Sequence, residues 1–123
     1  MKFIANLMVA LVALEHVAFL ILEMFLWKGP IGQRIFGTTP EFAAQAAPLA
    51  ANQALYNGFL AVGLAWALVA RRFDLKVFFL SCVVVAGTYG GLTVKPTILY
   101  SQAAPAALAL LLVLLTSRSK PAS

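Results

Sequence analysis

Apolar residues fall in four long runs, at 3–27, 46–70, 73–94 and 97–116, separated by short stretches rich in charge, glycine or proline. Each run reaches the ~20 residues that a helix needs to cross a hydrocarbon core about 30 Å thick. The runs are rich in Ala, Leu and Val and lack period-2 alternation, which predicts helices and argues against a transmembrane barrel. The expected fold is therefore an all-α membrane protein, a four-transmembrane-helix up-down bundle forming a single integral membrane domain over residues 1–123. The only long connection, 28–45, carries Gly29-Pro30, Gly32, Gly37 and Pro40, which break any continuous helix through it. Within it Thr39-Pro40-Glu41 reads as an N-cap, a proline at the first helical position and an acid in the first turn. That signal starts a short helix, which Pro48 is expected to kink or interrupt. The connections at 71–74 and at Val94-Lys95-Pro96 are tight, so the helices they join are expected to be antiparallel neighbours.

Composition sharpens this picture. Apolar residues make up 63% of the chain and charged residues 11%, against about 45–50% and about 25% in ordinary soluble domains. A water-facing surface cannot be assembled from so few charges, which excludes a soluble globule. A disordered chain needs low hydrophobicity, and a disulfide scaffold needs more than the single Cys82, which reads as a packing residue. Apolar character resumes after Glu15-His16 and continues to Trp27, too long for a removable signal segment, so the first run is expected to remain as a helix.

Charge then orients the helices. Lys2, Arg71, Arg72, Lys76, Arg118 and Lys120 lie at one set of ends, and only Lys28, Arg34 and Lys95 at the other. Because cytoplasmic loops hold the excess of Lys and Arg, both termini are expected to be cytoplasmic and 28–45 to be an outer loop. Trp27 and Trp66 suit the outer and inner interfaces. The net charge of +5 is spread over membrane edges, without a basic stripe interleaved with aromatics, so no nucleic-acid partner is expected.

The candidate chemistry lies in the polar residues within the runs, since an ionisable group near the bilayer centre costs at least ~2.5–3.5 kcal/mol and needs a partner or a wet cavity. Glu15 stands about 18 Å along the first helix, near the midplane, with His16 beside it. Glu23 follows seven residues after His16 and shares its stripe, whereas Glu15 is rotated by about 100°. The second helix brings Asn52, Gln53, Tyr56 and Asn57, two i, i+4 pairs forming a polar arc. The third brings Thr88, Tyr89 and Thr93, and the fourth Thr97, Tyr100, Ser101 and Gln102. In an up-down bundle these positions converge on the outer half of the bilayer. The expectation is a polar pocket opening outward, floored by Glu15 and His16, with Glu23 nearer its mouth. The bland alternative is interhelical hydrogen bonding that stitches the bundle together, at about 0.6 kcal/mol per bond. Gly87 and Gly91 form a GxxxG, with Gly58 and Gly63 as further small surfaces. They are read as bundle packing ahead of a dimer seam, though a homo-oligomer stays open.

The same residues carry a resemblance. Glu15-His16, Leu22-Glu23-Met24-Phe25-x-Trp27, Ala51-Asn52-Gln53-x-Leu55-Tyr56-Asn57-Gly58-Phe59-Leu60-Ala61 and Ala86-Gly87-x-Tyr89-Gly90 resemble small bacterial membrane proteins grouped as domain of unknown function 1304. The resemblance covers nearly the whole chain and implies a four-helix integral protein of the bacterial inner membrane, with no established activity. A far weaker similarity links Leu55-Tyr56-Asn57-Gly58 to the membrane-bound styrene oxide isomerases, four-helix proteins with a histidine-ligated haem. Where that motif opens with histidine, this chain has Asn52, so the activity is not carried across.

Three functions follow. The first is binding or transport of a small molecule, an ion or a proton, with Glu15, Glu23 and His16 as titrating or cation-binding groups and Asn52, Gln53, Tyr56, Asn57, Tyr89 and Gln102 around them. Four helices show no inverted halves, so transport would require a homodimer. The second is a membrane enzyme acting on a lipophilic substrate, isomerase-like, with a glutamate as general acid or base and Asn52, Asn57 and Tyr89 polarising a developing oxyanion. A haem or metal variant rests on His16 and Glu23 alone, short of a closed zinc site and without HExxH or CxxCH spacing, so no dedicated metal site is expected and the cofactor is left open. The third is an accessory subunit whose polar face meets another membrane protein.

Overall fold

The computed structural model describes residues 1–118, all of whose regular elements are helical. Lys120, counted above toward the cytoplasmic tail, lies outside the described residues. The helices are α1 (Lys2–Met24), α2 (Pro30–Phe36), α3 (Pro40–Val69), α4 (Phe73–Thr93) and α5 (Ala104–Arg118), with a π-helical segment at Leu99–Ala103 leading into α5. Three stretches are long and apolar enough to cross a membrane: Lys2–Met24, Phe73–Thr93 and Leu99–Ser117. Less than a third of each is buried within the chain, and side chains such as Phe3, Phe78, Val85 and Leu92 are exposed. Apolar surface on that scale suits lipid and not water.

By its contacts the chain divides into two compact units, Leu14–Ala61 and, separately, Met1–Ala13 with the chain from Val62 onward.

In the first of these, the end of α1 and the connector differ from expectation. α1 stops at Met24, before Trp27, where the amides of Phe25 and Leu26 both turn to the Ile21 carbonyl. The glycines and prolines of 28–45 then act as helix boundaries. Gly29 caps α2, Pro30 takes its first position, where a missing N–H costs nothing, and Gly37 closes it in the left-handed region at φ 67°. Gly32 lies so close to the end of α1 that an added Cβ would sit 2.7 Å from the Trp27 carbonyl oxygen. The Trp27 indole donates to the Ala43 carbonyl at 2.8 Å, and its ring leans on Phe36.

α3 starts where Thr39-Pro40-Glu41 places it. Thr39 Oγ1 accepts from the Phe42 amide at 3.2 Å, a capping bond. Thr39→Ala is expected to lower thermal stability in detergent by about 1 kcal/mol, and Thr39→Asp to restore most of it. The helix is much longer than the short one expected, because it runs through Pro48 without interruption. Pro48 removes one bond, to the Ala44 carbonyl, but Ala46, Ala47, Ala50 and Ala51 around it are the best helix formers. The Trp27 indole also ties down the neighbouring carbonyl.

The other unit packs around small residues. Val9, Val12, Leu64, Leu80 and Val83 are its largest fully buried side chains. The tight connection at 71–74 is confirmed: the Arg72 amide reaches back to the Ala67 carbonyl at 3.0 Å and Arg71 adopts φ 54°. A non-glycine residue there costs about 1–2 kcal/mol. Gly63 on α3 lies against the ring of Phe79 on α4. Gly87 and Gly91 of the GxxxG are buried against the π-helical segment, Gly87 against Ala103 and Gly91 against Leu99, so the motif is used inside the chain. Pro105 explains the wide turn, since it has no N–H for the Ser101 carbonyl, and the Ala104 amide bonds to Leu99 instead.

Candidate functional site

In the unit Leu14–Ala61, two helices bring a carboxylate and an amide together. Glu23 comes from the last turn of α1 and Asn57 from the middle of α3, and Asn57 Nδ2 donates to Glu23 Oε1. Asn57 is buried. The two helices also approach closely at the next residue: a Cβ on Gly58 would stand 2.6 Å from Leu20 Cδ1, a side-chain tip that would have to turn aside. The Asn57-Gly58 dipeptide thus sets a hydrogen-bonding group beside a close contact of α3 with Leu20 on α1.

His16, seven residues before Glu23, is fully buried and meets the edge of Phe19 at 5.3 Å. Phe19 is a neighbour that the polar pattern alone does not reveal; its signal is an aromatic at i+3 from the histidine. Glu15 is half-buried, and its Oε1 is fully enclosed without a hydrogen-bond partner.

The polar arc of α3 is not gathered to one side. Of its four members only Asn57 is buried, while Asn52, Gln53 and Tyr56 are exposed, Tyr56 stacking edge-on against Phe59 at 5.6 Å. Helical rotation explains part of this, since Asn52 is about 140° around the helix from Asn57. Tyr89 and Gln102 belong to the other unit. Tyr89 is exposed on α4, its carbonyl accepting from Thr93 Oγ1 at 2.7 Å, and Gln102 is half-buried in the π-helical segment. Among the described residues no three His, Cys, Asp or Glu side chains come together.

The chemistry available is that of hydrogen bonding and charge within apolar helices. Glu23 is already half-satisfied by an amide that any ligand would have to share, whereas Glu15 presents an acceptor with nothing on it. Three helices long and apolar enough to span a bilayer, with a carboxylate–amide pair set between one of them, α1, and α3, are those of a helical protein compatible with a membrane.

The chain belongs to the family described as "Protein of unknown function (DUF1304)", whose profile matches residues 10–114. A curated relative, the "Uncharacterized protein YpaA" of Lactococcus lactis subsp. lactis (strain IL1403), is 30% identical over 105 residues, which cover 82% of this chain and 88% of the relative. No solved structure matches.

Proposed function

We propose that the protein crosses the bacterial inner membrane four times, with both termini in the cytoplasm, and uses Glu15, His16, Glu23 and Asn57 to bind or transport a small molecule, ion or proton. The topology is supported by one cavity lined by Lys2 at the start of α1, Phe73 at the start of α4 and Ser117 near the end of α5. If α1 and α4 leave the same membrane face, the chain must return between them. α3 is the element available, and its 30 residues span about 45 Å. Its polar middle, with Asn52, Gln53 and Asn57, makes it less apolar than the other three. The excess of Lys and Arg at the face of that cavity makes it the cytoplasmic one.

The observation that carries the site is the enclosed Glu15 oxygen without a donor. A buried carboxylate oxygen left bare costs about 1–3 kcal/mol or more, and a cation, a proton or a ligand donor completes it. Purified wild-type protein and Glu15→Gln are compared by mass spectrometry of what co-purifies and by ion and proton flux in proteoliposomes. The expected result is a bound molecule or a flux in the wild type that Glu15→Gln reduces at least tenfold, with Glu23→Gln intermediate because Asn57 keeps a partner. A wild type that carries nothing and conducts nothing overturns the reading.

A further inference from the structure

The connector after α1 reads in sequence as a loop, but the structure makes its first half a helix pressed against the end of α1. Only residues 25–29 separate α1 from α2, and they stay bonded to the helix end, the Gly29 amide donating to the Leu26 carbonyl at 3.2 Å. Gly32 packs against the Leu26 and Trp27 carbonyls. α2 is seven residues long, about 10 Å, and a helix that short does not hold in water by itself. Its two sides differ. Gly32 is buried and Phe36 is half-buried beside Trp27, whereas Ile31, Arg34 and Ile35, spaced i, i+3 and i+4, form one exposed face. Lys28 just before the helix is exposed, as are Phe25 and Phe42 on either side of it in sequence. All of these residues belong to the unit Leu14–Ala61.

We propose that this face of α2 lies in the interfacial layer of the bilayer, with Ile31 and Ile35 among the upper acyl carbons and Arg34 and Lys28 at the lipid phosphates. Position is the first argument. α1 is long and apolar enough to cross a membrane, so a helix packed on its end stands where hydrocarbon gives way to headgroups. The exposed face is the second. Ile31 and Ile35 are 54% and 48% exposed, surface that is costly in water and that a helix lying along the membrane buries about 5–10 Å deep. The Arg34 guanidinium matches phosphate oxygens, and its apolar stem can follow the isoleucines down while the charge stays at the surface. Charge supplies a third argument. In the four-crossing topology 28–45 is on the outer side, where Lys and Arg are disfavoured, and contact with phosphate gives the two cations there a role. Glu41, the acid of this stretch, stands instead in the first turn of α3, where a helix N-terminus favours it. Trp27, tied to Ala43, is a residue type that gathers at this layer. The inference rests on the reading that α1 crosses the bilayer, and its test separates the two.

The full-length protein carrying Cys82→Ser is given one further cysteine, by Ile31→Cys, Ile35→Cys or Leu14→Cys, then spin-labelled and placed in vesicles of phosphatidylethanolamine and phosphatidylglycerol. Collisions with oxygen, which concentrates in lipid, and with a water-soluble nickel complex give the depth of each label. Labels at 31 and 35 are expected about 5–10 Å below the phosphates. The label at 14, an exposed position of α1, is expected nearer the bilayer centre. Arg34→Glu is expected to move the label at 35 toward water, and Arg34→Lys to leave it in place. Labels at 31 and 35 that are open to the nickel complex while the label at 14 stays deep overturn the proposal, as does an unchanged depth in Arg34→Glu. Dipolar broadening between copies at 31 and 35, with oxygen excluded, assigns the face to a second copy of the chain and overturns it too. A label at 14 open to the nickel complex overturns instead the crossing of α1, on which the proposal stands.

Discussion

Replacing Gly87 by valine is expected to cost about 3 kcal/mol or more of stability, the top of the range for overpacking a tight contact. A Cβ at position 87 would stand 2.6 Å from the backbone nitrogen of Ala103 and 2.9 Å from its Cα. Neither atom can swing aside as a side-chain tip can, so α4 and the π-helical segment must separate. Glycine within a helix ordinarily costs about 0.5–1 kcal/mol relative to alanine, and Gly87→Ala recovers that amount while losing more to the clash. Gly90 is the internal control. There a Cβ would meet only the Cγ2 of Ile98 at 3.3 Å and its Cδ1 at 3.5 Å, flexible atoms that can yield, so Gly90→Ala is expected to be neutral within about 0.5 kcal/mol. Thermal unfolding of the three variants in one detergent checks the ordering, and a Gly87→Val protein as stable as Gly90→Ala would show that the helices do not meet at this seam.

The second large effect is expected at Asn57. Asn57→Leu keeps a side chain of similar size but withdraws the donor from Glu23, leaving a part-buried carboxylate alone between helices. Removing one partner of such a bond typically costs about 1–3 kcal/mol, more when the other is charged. Glu23→Gln is expected to be much milder, because the amide of Asn57 then finds a neutral acceptor. In the double variant, Asn57→Leu with Glu23→Gln, much of the loss should return, and the cycle should give a coupling of at least the ~0.6 kcal/mol average for hydrogen bonds within membranes. Additive losses would mean that the two side chains do not act on one another.

Much of the fold is legible in the sequence, and what is not has physical reasons. Hydrophobic run length placed α1, α4 and α5, because a helix that meets lipid must be apolar nearly all round. Thr39-Pro40-Glu41 placed the start of α3, because a cap is a local chemical signal. α2 was missed for the same reason in reverse: Gly29, Pro30 and Gly37 read as breakers, yet proline at the first position and a left-handed glycine after the last are also how a short helix begins and ends. The continuation through Pro48 is accompanied by a tertiary tie, Trp27 to Ala43, which no local pattern encodes. Within the candidate site, the stripe that joins His16 and Glu23 came from helical period alone. Which member of the α3 arc turns inward is a matter of tertiary contact, Asn57 with Glu23 and Gly58 beside Leu20, which no local pattern encodes.

The bond between Glu23 and Asn57 joins residues 34 positions apart, and that separation has a consequence for biogenesis. A ribosome adding roughly 5–20 residues per second delivers Asn57 a few seconds after Glu23. In the four-helix topology proposed above, Glu23 would enter the bilayer before its partner on α3 is made. The release of α1 into lipid would then be tied to the arrival of α3, and the two helices would leave the insertion machinery as a pair.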